Sequence, residues 1–142
     1  IADRVVETAR ERGEIVYAVP GSPTIAERSV ELVRAAGIDV ELIPGISFVD
    51  LAWWRLGIDP MHGARVVDGR AFAVDAAGAT GQMLIAQCDS QLVCSEVKLA
   101  LLDSLPAEHE VTVLQRLGLP DESVFTVALE DVDRVTDRRF RG

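Results

Sequence analysis

Apolar residues fall along this chain in a short series of stripes and runs, and each predicts one element. Ile1, Val5, Val6 and Ala9 share one stripe of a helix that begins with the first residues, and Gly13 supplies its C-terminal break. Glu14 to Val19 is nearly all apolar with little alternation, the pattern of a strand buried on both faces of a parallel sheet. Pro20-Gly21 turns the chain, Ser22 is placed as an N-cap, and Pro23 brings a preset φ to the first helical position. The helix predicted from Pro23 to about Ala36 carries Ala26, Val30, Val33 and Ala36 on one face, and Gly37 ends it. Ile38 to Ile43 reads as a second short strand running into Pro44-Gly45-Ile46-Ser47. Ser47-x-x-Asp50 resembles a capping box and opens a third helix, Phe48 to about Leu56, which carries Trp53 and Trp54 and stops at Gly57.

Asp59 to Thr80 shows glycines, no convincing helix and one short apolar run, Ala71-Phe72-Ala73-Val74. This stretch is the best candidate for a connection between two domains. A second α/β unit follows. Met83 to Gln87 is a strand, Asp89 is placed to cap a helix that runs to about Leu105, and Val93, Val97, Ala100 and Leu101 form its apolar face. Glu110 to Leu114 and Val124 to Ala128 are strands of β-branched character, separated by a Pro-containing turn and able to pair as a hairpin. Leu129 to Val135 is a short terminal helix or turn, and the basic tail Arg138-Arg139-Phe140-Arg141 is expected to fray. The fold class is therefore α/β, in two small domains of residues 1–58 and 59–142.

Charge and composition exclude more than they identify. With 14 basic and 23 acidic residues the formal charge is −9, the wrong sign for holding the phosphates of a nucleic acid. No run approaches the length of a membrane span and no signal peptide is visible, so the expected setting is cytoplasmic. Cys88, Cys94, His62 and His109 have no metal-ligand or C-x-x-C spacing, so no metal is expected and the cysteines read as buried and reduced. The acidic pairs Asp131/Asp133 and Glu108/Glu110 stand at i, i+2 and read as solvated. No nucleophile-base set, Walker loop or G-x-G-x-x-G is present. What remains is a pair of turns at strand ends, Pro20-Gly21-Ser22 and Pro44-Gly45-Ile46-Ser47, each opening a helix, which would line one crevice if their strands are neighbours. A helix that starts at the first residue also suggests that the chain begins inside a larger protein.

Val19-Pro20-Gly21-Ser22-Pro23, Ala36-Gly37-Ile38 and Val40-Glu41-Leu42-Ile43-Pro44-Gly45-Ile46-Ser47-Phe48 resemble the core of the tetrapyrrole (corrin/porphyrin) methylases, in particular the methylase-like domain at the N-terminus of MazG-type proteins. Gln87-Cys88-Asp89-Ser90, Glu96-Val97-Lys98-Leu99 and His109-Glu110-Val111-Thr112-Val113 extend the resemblance through the second half. It implies two α/β domains with S-adenosylmethionine, or its product S-adenosylhomocysteine, bound between them, and methyl transfer to a small molecule, possibly a tetrapyrrole, in the parent protein, this fragment by itself being expected to be inactive. The first domain, on the cofactor side, is then incomplete, because the family's first glycine-rich loop is not in this chain. Gly21-Ser22-Pro23 stands where typical members have Gly-Asp-Pro. Carried over by position, the resemblance assigns the cofactor to Gly21, Ser22, Ile25, Ser47 and Phe48, with Gln87 and Leu117 from the second domain; it assigns no catalytic residue. It also implies a homodimer, for which Trp53-Trp54 is a candidate interface, and a covalently linked MazG pyrophosphohydrolase domain in the parent protein. The alternative is a non-catalytic regulatory or scaffolding module attached to such a nucleoside triphosphate pyrophosphohydrolase.

Overall fold

The structure is a computed structural model and describes residues 1–78 and 80–137. Two compact units divide the chain, Ile1–Leu51 and Ala52–Gly142. The expected fraying of Arg138 to Arg141 lies outside the described residues.

In the first unit α1 (Ala2–Arg12) and α2 (Arg28–Ala35) pack together on Val6, Val30 and Val33, all buried. Gly13, at φ 80°, closes α1 by donating its amide to the Ala9 carbonyl at 2.9 Å, and the Arg10 guanidinium donates to the Ala36 carbonyl at the end of α2. The second helix starts five residues later than the apolar stripe predicts. Ala26 adopts a left-handed φ of 57°, which a right-handed helix cannot contain, so Pro23 lies in a turn ahead of α2. Residues 14–19 and 38–43 are not strands: among the described residues both sheets lie in the second unit, and neither segment is paired into a ladder. An apolar run states only that a segment suits a pleated, buried surface, whereas a strand exists through its hydrogen-bonded partner. Val16 and Ile43 are accordingly 91% and 74% exposed. The third helix, α3 (Phe48–Leu56), has the bounds that the sequence predicts.

The second unit holds two pairs of strands. β1 (Arg65–Asp68) and β2 (Met83–Ala86) run parallel, joined through a tight 3-10 turn, Gly69–Ala71, and the single turn of helix α4 (Phe72–Asp75). The stretch read from sequence as a connection thus contains a strand. Only Val66 and Val67 are apolar in its four residues, too short a run for alternation to show. Helix α5 (Gln91–Leu102) covers this pair, and Val67, Phe72 and Val97 form the core with Met83, Ile85, Val93, Ala100 and Leu101 around them. Its cap is Ser90, whose hydroxyl accepts the Val93 amide, rather than Asp89. Asp89 instead pairs with Arg70, at the end of the neighbouring strand. β3 (Glu110–Gln115) and β4 (Ser123–Ala128) form the antiparallel hairpin. A 3-10 turn, Leu129–Asp131, leads into α6 (Val132–Asp137), which lies on α5. Leu129 is 1% exposed.

Asp133 is not solvated, as its spacing suggested, but 8% exposed, and its carboxylate accepts from Lys98 Nζ at 2.6 Å and Ser95 Oγ at 2.8 Å, both on α5. The i, i+2 logic does apply to the pair, since Asp131 turns the other way and meets Arg134. What it could not show is that one of the two directions faces α5.

Candidate functional site

Gly21, Ser22, Ile25, Ser47 and Phe48 all belong to the first unit, and its backbone brings the two Pro-Gly turns into direct contact. A Cβ added at Gly45 would lie 2.6 Å from the Gly21 carbonyl oxygen, and one added at Gly21 would lie 3.1 Å from the Ile46 carbonyl oxygen. Both glycines are therefore required by the packing of turn on turn. Gly21 is also held at φ 76°, a region costly for any residue with a Cβ. Gly21 opens room for the second turn.

Ser47 is 4% exposed and forms a reciprocal box with Asp50. The Asp50 amide donates to Ser47 Oγ at 3.2 Å, while the Ser47 amide and hydroxyl donate to Asp50 Oδ2 at 2.8 and 2.7 Å. These bonds, the hydroxyl first and the amide second, hold the Asp50 carboxyl below its ordinary range. The Ser47 amide is thus engaged, and the amides of the first turn of α3 beginning at Phe48 are those without an intrahelical acceptor. Phe48 itself is 38% exposed, and Ile46 beside it is exposed.

At the first turn, Ser22 does not cap a helix. Its hydroxyl meets Thr24 Oγ1 at 3.0 Å, and its carbonyl accepts the Ile25 amide at 3.3 Å, closing a local turn with Ile25 half-exposed. Sequence reasoning passed over a neighbouring chain of bonds. The Tyr17 hydroxyl donates to Ser29 Oγ at 3.1 Å, and Ser29 Oγ donates to Glu27 Oε2 at 3.2 Å, tying the segment before the turn to the start of α2. No spacing in the sequence signals it.

Gln87 and Leu117 belong to the second unit. Gln87 follows β2 at a left-handed φ of 57°, and Leu117 follows Arg116, at φ 54°, in the hairpin turn. That turn is braced by Arg116 with Asp121 at 2.5 Å, by the Gly118 amide on Glu122 at 2.8 Å, and by Arg55 on Glu122 at 2.7 Å. Among the described residues no group of three or more His, Cys, Asp or Glu side chains is placed to hold a metal ion, and no helix is long and apolar enough to cross a membrane.

Known proteins resemble this chain in sequence or in fold. YabN, an uncharacterized protein of Bacillus subtilis (strain 168), is 37% identical over 138 residues, which are 94% of this chain and 28% of YabN. The uroporphyrin-III C-methyl transferase of Thermus thermophilus, in a crystal structure complexed with S-adenyl homocysteine, superimposes with a TM-score of 0.63 at 18% identity, over 95% of this chain and 65% of that one. The methyltransferase CobJ does so with a TM-score of 0.68 at 18% identity, over 92% of this chain and 63% of that one. The chain thus spans less than two thirds of these solved structures and about a quarter of YabN, and at such identities the two structures show a shared fold. The family model of the tetrapyrrole (corrin/porphyrin) methylases matches residues 1–133, and this chain belongs to that family.

Proposed function

We propose that this chain is the methylase-like domain of a MazG-type protein and that it takes part in S-adenosylmethionine-dependent methylation of a small molecule, possibly a tetrapyrrole. The observation that carries the reading is the paired turn of the first unit: Gly21 and Gly45 interlock two Pro-Gly turns, the second of which opens α3 beside a buried, boxed Ser47, in a chain of this family. The geometry fits a ligand with polar atoms near the start of α3, where the amides of Phe48 and its successor lack helical acceptors and the helix dipole favours negative charge. Gly21, Ser22, Ile25, Ser47 and Phe48 would line the cofactor's place in residues 1–58, and Gln87 and Leu117 would complete it from residues 59–142. A solved protein of the same fold is complexed with S-adenyl homocysteine, which supports the choice of ligand. When bound, S-adenosylmethionine supplies an activated methyl group, so the chain's own contribution is to bind and orient rather than to attack. A cytoplasmic homodimer is part of the same proposal, motivated by Trp54, which is 76% exposed on α3.

A second reading is favoured by Ser22, whose hydroxyl is spent on Thr24 where typical members carry a carboxylate, and by the length of YabN beyond the matched segment. In it the chain is a non-catalytic regulatory or scaffolding module of a nucleoside triphosphate pyrophosphohydrolase. Calorimetric titration of the full parent protein with S-adenosylhomocysteine separates the outcomes. Binding that is abolished by Phe48→Asp in a stably folded protein supports the site, and the absence of both heat and thermal shift at millimolar ligand refutes the cofactor assignment. Binding without methyl transfer to any supplied acceptor favours the module.

A further inference from the structure

Cys88 and Cys94 meet across the turn that joins β2 to α5, and neither takes part in the site proposed above. Cys94 stands in the opening turn of α5 and is 3% exposed, while Cys88, two residues past β2, is half-buried. The Cys94 thiol donates to the Cys88 carbonyl oxygen at 3.6 Å, and the two side chains are in hydrogen-bonding contact with each other. The end of β1 backs this contact. A Cβ at Gly69 would lie 3.0 Å from Cys88 Sγ and 2.8 Å from the Ala86 carbonyl oxygen, so the bare glycine leaves space that the Cys88 side chain fills. Gln87, in the left-handed region, turns the chain immediately before Cys88.

We infer that Cys88 and Cys94 form a dithiol modification site that closes to an intramolecular disulfide in exchange with a low-molecular-weight disulfide. The half-buried Cys88 is the entry point, because an external disulfide cannot reach the enclosed Cys94. The Cys88 thiolate attacks one sulfur of the small disulfide, whose S–S bond breaks and releases one thiolate that takes up a proton. The Cys94 sulfur, after losing its proton, then attacks Cys88 Sγ in the mixed disulfide and expels the second small thiol. In balance, two protein thiols and one small disulfide become one protein disulfide and two small thiols. Its own hydrogen bond to the Cys94 side chain, and then burial, hold the Cys88 thiol above its ordinary range, so its thiolate is scarce at neutral pH and closure quickens in alkaline buffer.

The test treats the reduced, folded chain with oxidised glutathione, quenches with acid, denatures, alkylates and measures the mass of the tryptic segment 71–98, which contains both cysteines. The expected result is loss of two hydrogens from that segment, no alkylation, full reversal by dithiothreitol, and a rate that climbs with pH. Cys94→Ser should stop at a glutathione adduct on Cys88, and Cys88→Ser should not react while folded. A wild-type chain that retains the adduct on Cys88 without closing, that keeps both thiols alkylatable, or that links two chains together overturns the inference. The wild-type mass alone decides it should either variant fail to fold.

Discussion

Gly45→Ala separates a steric demand from a conformational one. Gly45 carries no positive φ, so an alanine suits its backbone, yet the new methyl would sit 2.6 Å from the Gly21 carbonyl oxygen, well inside the 3.4 Å at which ordinary contact begins. The obstacle is backbone and cannot swing aside, so the two turns must part. Overpacking of this kind costs about 1–3 kcal/mol, against which alanine restricts the unfolded chain and returns roughly 0.4–1 kcal/mol. A net loss of about 1–2 kcal/mol is expected. Gly37→Ala is the control: nothing lies within 4 Å of its added Cβ, and its φ of 78° costs about 1–2 kcal/mol by conformation alone. Both variants should lose stability in urea unfolding followed by the fluorescence of Trp53 and Trp54, the midpoint falling by roughly 0.5–1 M for a slope near 2 kcal/mol/M. They should differ in the turn. Amide exchange at residues 21–22 and 46–47 should quicken in Gly45→Ala and stay unchanged in Gly37→Ala. Equal protection in the two variants would refute the interlocked turns.

Lys98→Met leaves the Asp133 carboxylate buried without its cation, which should cost about 3 kcal/mol at neutral pH, whereas Lys98→Met with Asp133→Leu should recover most of it. The pH dependence has a definite sign: burial, the largest influence, pushes the Asp133 carboxyl up, but Lys98 and Ser95 together outweigh it and the net displacement is downward. The wild-type contribution is therefore complete above the ordinary carboxylate range near pH 4 and is lost as pH falls through the depressed value, and the penalty of Lys98→Met should shrink on acidification. Urea midpoints of the two chains at pH 7 and pH 4 check this, and a gap that widens at pH 4 would contradict it. Ser47→Ala should destabilise the start of α3 by about 1 kcal/mol with or without ligand, measured by the same unfolding curve.

Helices that depend on local signals are legible in this sequence. The stripe Ile1, Val5, Val6, Ala9 with Gly13, and the Ser47-x-x-Asp50 start of α3, need only neighbours within one or two turns, and both appear at the expected bounds. The hairpin β3–β4 is also legible, since a short turn fixes its partner. Strands paired across longer distances are not. Among the described residues, 14–19 and 38–43 carry strand composition but have no ladder partner, while Arg65–Asp68 carries little strand composition and becomes a strand because Met83–Ala86 lies alongside it. In a ladder the partner decides, and one segment's composition says only that it would tolerate one.

The candidate site was legible to the same depth. Two Pro-Gly turns opening toward helices mark a place where backbone approaches backbone, but the sequence leaves open what approaches what. A glycine needed for a ligand and a glycine needed for a neighbouring turn look alike in sequence, and in the structure Gly21 and Gly45 answer to each other and to Ile46. On the proposed reading, ligand contact would fall to the groups around them: the amides at the start of α3, Phe48 beside them, and the turn of Ser22 and Ile25. Substitutions at Phe48 consequently test binding with little disturbance of the frame, since that side chain is part-exposed. A bulky residue at Gly21 removes the frame itself, and a loss of affinity there would report folding of the turns before it reported the ligand.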